Sequence, residues 1–133
     1  MEQGLPVSRN WQTFLPLIKT RKGALSVSDL AAGKCEACHA GTPTLGPDKA
    51  AELHSQINPD WAMVENRIER QFKFKNFRDA FGMATRVGFL AEQQGHHPDF
   101  EIGWGFLKLT LTTHAAKGLT DNDFIMAAKI DEL

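Results

Sequence analysis

Residues 99–112 read DFEIGWGFLKLTLT. Phe100, Ile102 and Trp104 alternate with Glu101 and Gly103, and Leu107, Leu109 and Leu111 alternate with Lys108, Thr110 and Thr112. A period of two puts the apolar set on one face of a strand and the polar set on the other. Gly103 and Gly105 relax the backbone between the two runs, so the segment reads as an antiparallel hairpin with one buried face.

Upstream of the hairpin, Phe77, Ala80, Phe81, Ala84, Val87, Leu90 and Ala91 form one stripe of a long helix. Asn76 with Asp79 supplies its start and Gly95 its stop. Before it, Arg67–Lys75 alternates as a half-buried strand, with Ile68, Phe72 and Phe74 on one face. Trp61–Glu65 reads as its short hairpin partner, turning near Asn66. Gly46-Pro47-Asp48 opens an earlier helix carrying Ala50, Leu53 and Ile57, which Asn58-Pro59 stops. Downstream, Thr120 and Asp123 have capping-box spacing ahead of a last helix bearing Phe124, Ile125, Ala128 and Ile130.

The order helix, strand, strand, helix, strand, strand, helix does not alternate one for one, which argues against a doubly wound parallel sheet. The expectation is an α+β fold: a four-stranded antiparallel sheet with three helices packed on one face. Its open face and uncovered edges favour a homo-oligomer.

The chain of 133 residues fits one domain. Lys and Arg number 15 against 16 Asp and Glu, which argues against a nucleic-acid binder that relies on a general positive field. No run reaches the roughly 18 apolar residues of a membrane span. The charge is uneven: residues 1–34 carry a net +3 and residues 35–133 a net −4. Residues 1–34 therefore read as a basic, flexible or weakly docked extension, with a transit peptide or an upstream start as alternatives. Residues 35–133 read as the compact domain. Pro16 and Lys19 break the apolar run that a secretory signal requires, so a cytoplasmic location is expected. The C-terminal Ile130-Asp131-Glu132-Leu133 reads as a helix end rather than an ER-retention signal.

Three of the five histidines, His96, His97 and His114, fall within 19 residues. His96-His97-Pro98 follows the long helix, and Pro98 forces His97 extended. His114 follows the fourth strand. If the third and fourth strands pair as a hairpin, the start of one lies beside the end of the other. All three imidazoles then meet at one end of the sheet. Imidazoles that titrate near neutrality suit general acid–base catalysis, bind transition metals, or serve as ordinary surface and core side chains. Adjacent histidines on an extended segment point to opposite sides and seldom share a metal. Asp123 is equally a capping acid, Glu92 a solvated charge, and Trp104 a core residue or a stacking wall for a flat ring.

Cys35-Glu36-Ala37-Cys38-His39 spells a c-type haem attachment motif. It also admits a zinc clip using Cys35, Cys38, His39 and His54, a redox dithiol, or two plain reduced thiols, the last being the expected reading.

The spacing Glu92-x3-His96-His97-Pro98-x5-Trp104-x9-His114-x8-Asp123 resembles the signature of pterin-4a-carbinolamine dehydratases. Phe74-Lys75-Asn76-Phe77, Gly118-Leu119 and the run from Phe124 to Ala128 resemble the bacterial members, and the likeness extends from about Cys35 to Leu133. The resemblance implies a homodimer or homotetramer that needs no metal or organic cofactor. Its implied activity is that of a hydro-lyase, dehydrating 4a-hydroxytetrahydropterin to quinonoid dihydropterin and so recycling the pterin of aromatic amino-acid hydroxylation. By similarity, His96 and His114 would move protons at the carbinolamine carbon and His97 would bind the pterin with Pro98 and Trp104. Asp123 would orient His114, and Glu92 would support the pocket. The alternative from another class is a non-catalytic module that acts as a dimerisation cofactor or regulator of a partner protein.

Overall fold

In the computed structural model, which describes residues 29–133, the hairpin forms the right-hand half of one antiparallel sheet. Strands β1 (Ala62–Val64), β2 (Arg67–Lys73), β3 (Asp99–Gly103) and β4 (Phe106–Leu111) lie in the order β1-β2-β4-β3. The helices are α1 (Pro47–His54), α2 (Phe77–Gln94) and α3 (Asp121–Asp131), and residues 29–31 are also helical. The α+β architecture expected from the alternation is the one found.

Register explains the core. In the central β2–β4 pair, Ile68 faces Leu111, Arg70 faces Leu109 and Phe72 faces Leu107. Leu107, Leu109, Leu111 and Ile68 are fully buried beneath Val87, Ala91, Phe124, Met126 and Ile130. The opposite face is polar. There Glu69 takes Arg67 Nε at 2.6 Å and Lys108 Nζ at 3.4 Å, and the Arg67 hydrogen bond holds the Glu69 carboxyl below its ordinary range.

Caps and turns follow the sequence closely. Asn76 accepts the Asp79 amide at 2.7 Å, and Gly95 ends α2 in the left-handed region at φ 68°. Gly103 is required for a steric reason. A Cβ there would sit 2.1 Å from Cε1 of Phe106, whose ring lies over the turn.

Four expectations shift. β1 is shorter than predicted because Trp61 lies outside it: the indole is fully buried and its Nε1–H donates to Asp131 at 2.8 Å. β2 stops at Lys73, although Phe74 still donates its N–H to the Gly105 carbonyl. In α2, Ala80, Ala84, Val87 and Ala91 are buried, whereas Phe77 and Phe81 are exposed and stack on each other with centroids 5.7 Å apart. At about 100° per residue, Phe81 lies about 90° around the helix from the centre of the buried stripe. In β3, Phe100 is 41% exposed and Trp104, in the turn beyond it, is 71% exposed, because β3 is an edge strand.

The extension expected for residues 1–34 divides. Residues 1–28, and with them the transit-peptide, secretory-signal and upstream-start readings, lie outside the described residues. Residues 29–34 dock: Ala31 is buried and its carbonyl accepts Lys129 Nζ at 2.6 Å.

The C-terminal helix end is a structural junction. Asp131 accepts from the Trp61 indole, from the Asn58 amide at 3.0 Å and from Arg70 at 2.7 Å, and Arg70 also lies 4.4 Å above the Phe72 ring. Asp131→Ala leaves the Trp61 indole and the Asn58 amide without their acceptor, and leaves the mostly buried Arg70 with only the exposed Asp60 at 3.6 Å. It is expected to lower the unfolding free energy by about 3 kcal/mol. Urea denaturation checks this: a loss under about 1 kcal/mol would make the cluster equivalent to an exposed ion pair.

Candidate active site

The site is built at two junctions, α2 to β3 and β4 to α3. At the first, Gly95 turns the chain back on itself, and the amides of Gly95 and His96 both donate to the Ala91 carbonyl, at 2.8 and 3.3 Å. This turn drives His96 inward while His97 stays at the surface and Pro98 is buried. At the second, Thr113 and Gly118 exchange backbone hydrogen bonds at 3.0 and 3.3 Å, closing a loop that carries His114.

His96 is 9% exposed, and its Nε2 lies 2.7 Å from Oδ1 of Asp123, which is fully buried. The second oxygen of Asp123 accepts the Thr113 hydroxyl at 2.8 Å and the Thr120 amide at 3.0 Å. The Thr113 hydroxyl has then spent its proton, so Thr120 Oγ1, 2.8 Å away, is the donor between the two threonines. Asp123 is thus the capping-box acid of α3 and the partner of His96 at once. A carboxylate acceptor at Nε2 requires an N–H there. Nδ1 of His96 remains as the nitrogen that accepts a proton or, once charged, gives one.

His97 Nε2 lies 2.6 Å from Glu92 Oε2, with both side chains more than half exposed. Such a pair orients the ring but adds little stability. The His114 imidazole is exposed and makes no hydrogen bond among the described residues. A cavity of about 220 Å³ collects all three: Gly95, His96, His97, Thr112, Thr113, His114, Ala115 and Asn122 line it, together with Glu36 and Cys38.

Two expectations are corrected by this geometry. Asp123 orients His96, not His114, because the buried end of α3 meets the inward-turned imidazole rather than the loop. Trp104 does not join the cluster within one chain. It sits at the β3–β4 turn, a strand length from the histidines, about 17 Å at about 3.3 Å per residue. The other two histidines are elsewhere: His54 Nε2 donates to the Trp61 carbonyl at 2.6 Å, and His39 lies against the Ala40 carbonyl. Cys35, Cys38, His39 and His54 are not gathered at one point, and no group of three or more such side chains stands in a metal-binding arrangement among the described residues. The two thiols are free. Asn122, Glu36 and Cys38 were not legible as pocket residues. The only sequence signal was the placement of Asn122 beside the capping acid.

The pterin 4 alpha carbinolamine dehydratase family model matches residues 43–133. A protein of Alkaliphilus metalliredigens (strain QYMF), named for the same dehydratase, is 43% identical over 107 residues, 80% of this chain and 96% of its own length. A protein of the same name from Rubrobacter xylanophilus is 44% identical over 108 residues, 80% of this chain and all of its own. A solved structure described as a transcriptional coactivator/pterin dehydratase from Brucella melitensis superimposes with a TM-score of 0.63 at 32% identity, covering 67% of this chain and 96% of that one. With the family model covering residues 43–133 and these relatives agreeing with it, the chain belongs to the pterin 4 alpha carbinolamine dehydratase family.

Proposed function

We propose that the chain dehydrates a 4a-hydroxytetrahydropterin to the quinonoid dihydropterin, with His96, His97 and His114 as its working groups. The observation that carries this is the convergence of three imidazoles on one cavity, one of them locked by a buried carboxylate. The reaction breaks the C4a–O bond, removes a proton from a ring nitrogen and forms a C=N bond, releasing water with no net oxidation. It needs one proton delivered to the leaving hydroxyl and one taken from nitrogen, and each such transfer is worth about 10²–10⁴-fold.

His96 is suited to the base role: Asp123 fixes its tautomer and stabilises the imidazolium that forms. His114, exposed on the loop that lines the cavity, is suited to meet the leaving hydroxyl as the acid. His97, steadied by Glu92, holds the ring, and buried Pro98 fixes the extended backbone that presents His97. Trp104 enters a pocket only if a second copy supplies it. In this reading no metal or organic cofactor takes part, and the enzyme acts in the cytoplasm, returning pterin to an aromatic amino-acid hydroxylase. Dehydration of chemically generated 4a-hydroxytetrahydropterin, followed by absorbance, tests it. Wild type should accelerate the reaction well above the spontaneous rate, and a rate equal to buffer would overturn the assignment.

A homo-oligomer is part of the same reading. Phe77, Phe81 and Phe89, at 46, 55 and 72% exposed, lie along the outer side of α2, and β1 and β3 are open edges. Phe81→Asp should lower the mass measured by light scattering with little change in melting temperature. A wild-type monomer would exclude the oligomer. A second reading, a coactivator-like binding module, is favoured only by this exposed aromatic row and by the description of the Brucella relative. It predicts that the row is needed for partner binding while the histidines are dispensable.

A further inference from the structure

The Cys35–Cys38 run, which the proposed chemistry leaves unused, is tied down across the histidine pocket. The Glu36 amide donates to Asn122 Oδ1 at 2.8 Å, and the Glu36 carbonyl accepts from Asn122 Nδ2 at 2.6 Å. This is the pair of bonds by which a primary amide side chain imitates a neighbouring strand. The same Nδ2 lies 3.3 Å from Cys38 Sγ. The Cys35 amide donates to Gln94 Oε1 at 3.2 Å, and its thiol points at the Asn122 carbonyl at 3.7 Å. Gln94 is the last residue of α2 and Asn122 the second of α3. The segment is therefore latched to the two helix ends that position His96 and Asp123. Asn122 is only 4% exposed. Glu36 and Cys38 line the same cavity as the three imidazoles.

We infer that Glu36 and Cys38 form a substrate-contacting wall of the pterin pocket, that the Cys38 thiol touches the bound ring, and that Asn122 is the positioning residue that latches this wall. This rests on the dehydratase reading above. A thiol is small, polarizable and weakly polar, so it can pack against a flat heterocycle without demanding a hydrogen bond. Asn122 spends both ends of its amide on the Glu36 backbone, so it acts through the wall rather than on the substrate.

The experiment labels the full-length protein with iodoacetamide and locates the adducts by peptide mass spectrometry, with and without a saturating dihydropterin. Dehydration by the unlabelled wild type is measured alongside. Cys38 should label and Cys35 should not, because burial pushes the Cys35 thiol up to about 11 and leaves little thiolate to react. The dihydropterin should slow Cys38 labelling at least about tenfold, and labelled protein should bind pterin more weakly. Asn122→Ala should raise KM about tenfold while kcat stays within about twofold, and should expose Cys35 to labelling. Loss of a merely structural contact would instead lower kcat and melting temperature together. An active wild type whose Cys38 labels equally fast with and without pterin would overturn the wall and leave the dehydratase reading standing. A protein that neither dehydrates nor binds pterin would overturn both. The wild-type labelling decides the matter even if Asn122→Ala does not fold.

Discussion

Replacing His114 by alanine is expected to lower kcat for carbinolamine dehydration by about 10²–10⁴-fold while leaving the melting temperature almost unchanged. The first half follows from the chemistry: the hydroxyl cannot leave as hydroxide at a useful rate, and a positioned imidazolium supplies its proton. The second half follows from the structure. The His114 ring is exposed and holds no hydrogen bond among the described residues, so its removal opens no cavity and orphans no donor. His96→Ala should cost a comparable factor in kcat but should also destabilise the fold, because it leaves an oxygen of buried Asp123 without its partner. Parallel rate and melting measurements on the two variants check the pair. If both retained wild-type rates, acid–base catalysis by these imidazoles would be excluded.

Asp123→Ala should be the most destabilising single change at the site, costing about 3–5 kcal/mol. It removes a fully buried carboxylate and strands the Thr113 hydroxyl, the Thr120 amide and His96 Nε2. Asp123→Asn separates stability from chemistry. Its amide oxygen can still accept from Thr113 and Thr120, and its NH2 then faces His96 as a donor. The imidazole must answer with a lone pair at Nε2, which moves its proton to Nδ1, the nitrogen proposed to act as the base. The expectation is a modest loss of stability, about 1–3 kcal/mol, with kcat down by at least about 10²-fold. A folded Asp123→Asn protein with a normal rate would show that the tautomer of His96 is irrelevant. Urea melts and the dehydration assay on the two variants give both readouts.

Local signals carried the fold well where one side chain acts on its own neighbourhood. The alternation of Leu107, Leu109 and Leu111, the Asn76 cap and the Gly95 stop needed no distant partner to be read. The convergence of His96, His97 and His114 also came through, because hairpin pairing fixes which strand ends meet. The sequence did not show which imidazole Asp123 would hold. Capping-box spacing places the acid at the start of α3, but only the inward turn after Gly95 decides that His96 reaches it. Phe77 and Phe81 were misread because a helical stripe is wider than the surface it buries, and its margin is settled by what packs there. Trp61, Arg70 and Asp131 form a cluster spanning residues 61–131, and Asn122 meets Glu36 across 86 positions. No periodic pattern encodes a pairing of that range.

The double duty of Asp123 bears on how much each residue says about purpose. A chain that used this fold only as a scaffold would still need an acid at that position to start its last helix and to satisfy two threonines. Its presence is therefore compatible with an enzyme and with a bystander. The His114 imidazole differs: no helix begins on it, and among the described residues it holds no hydrogen bond to a buried group. Of the three imidazoles it is therefore the one whose replacement tests the proposed chemistry with the least disturbance of the fold.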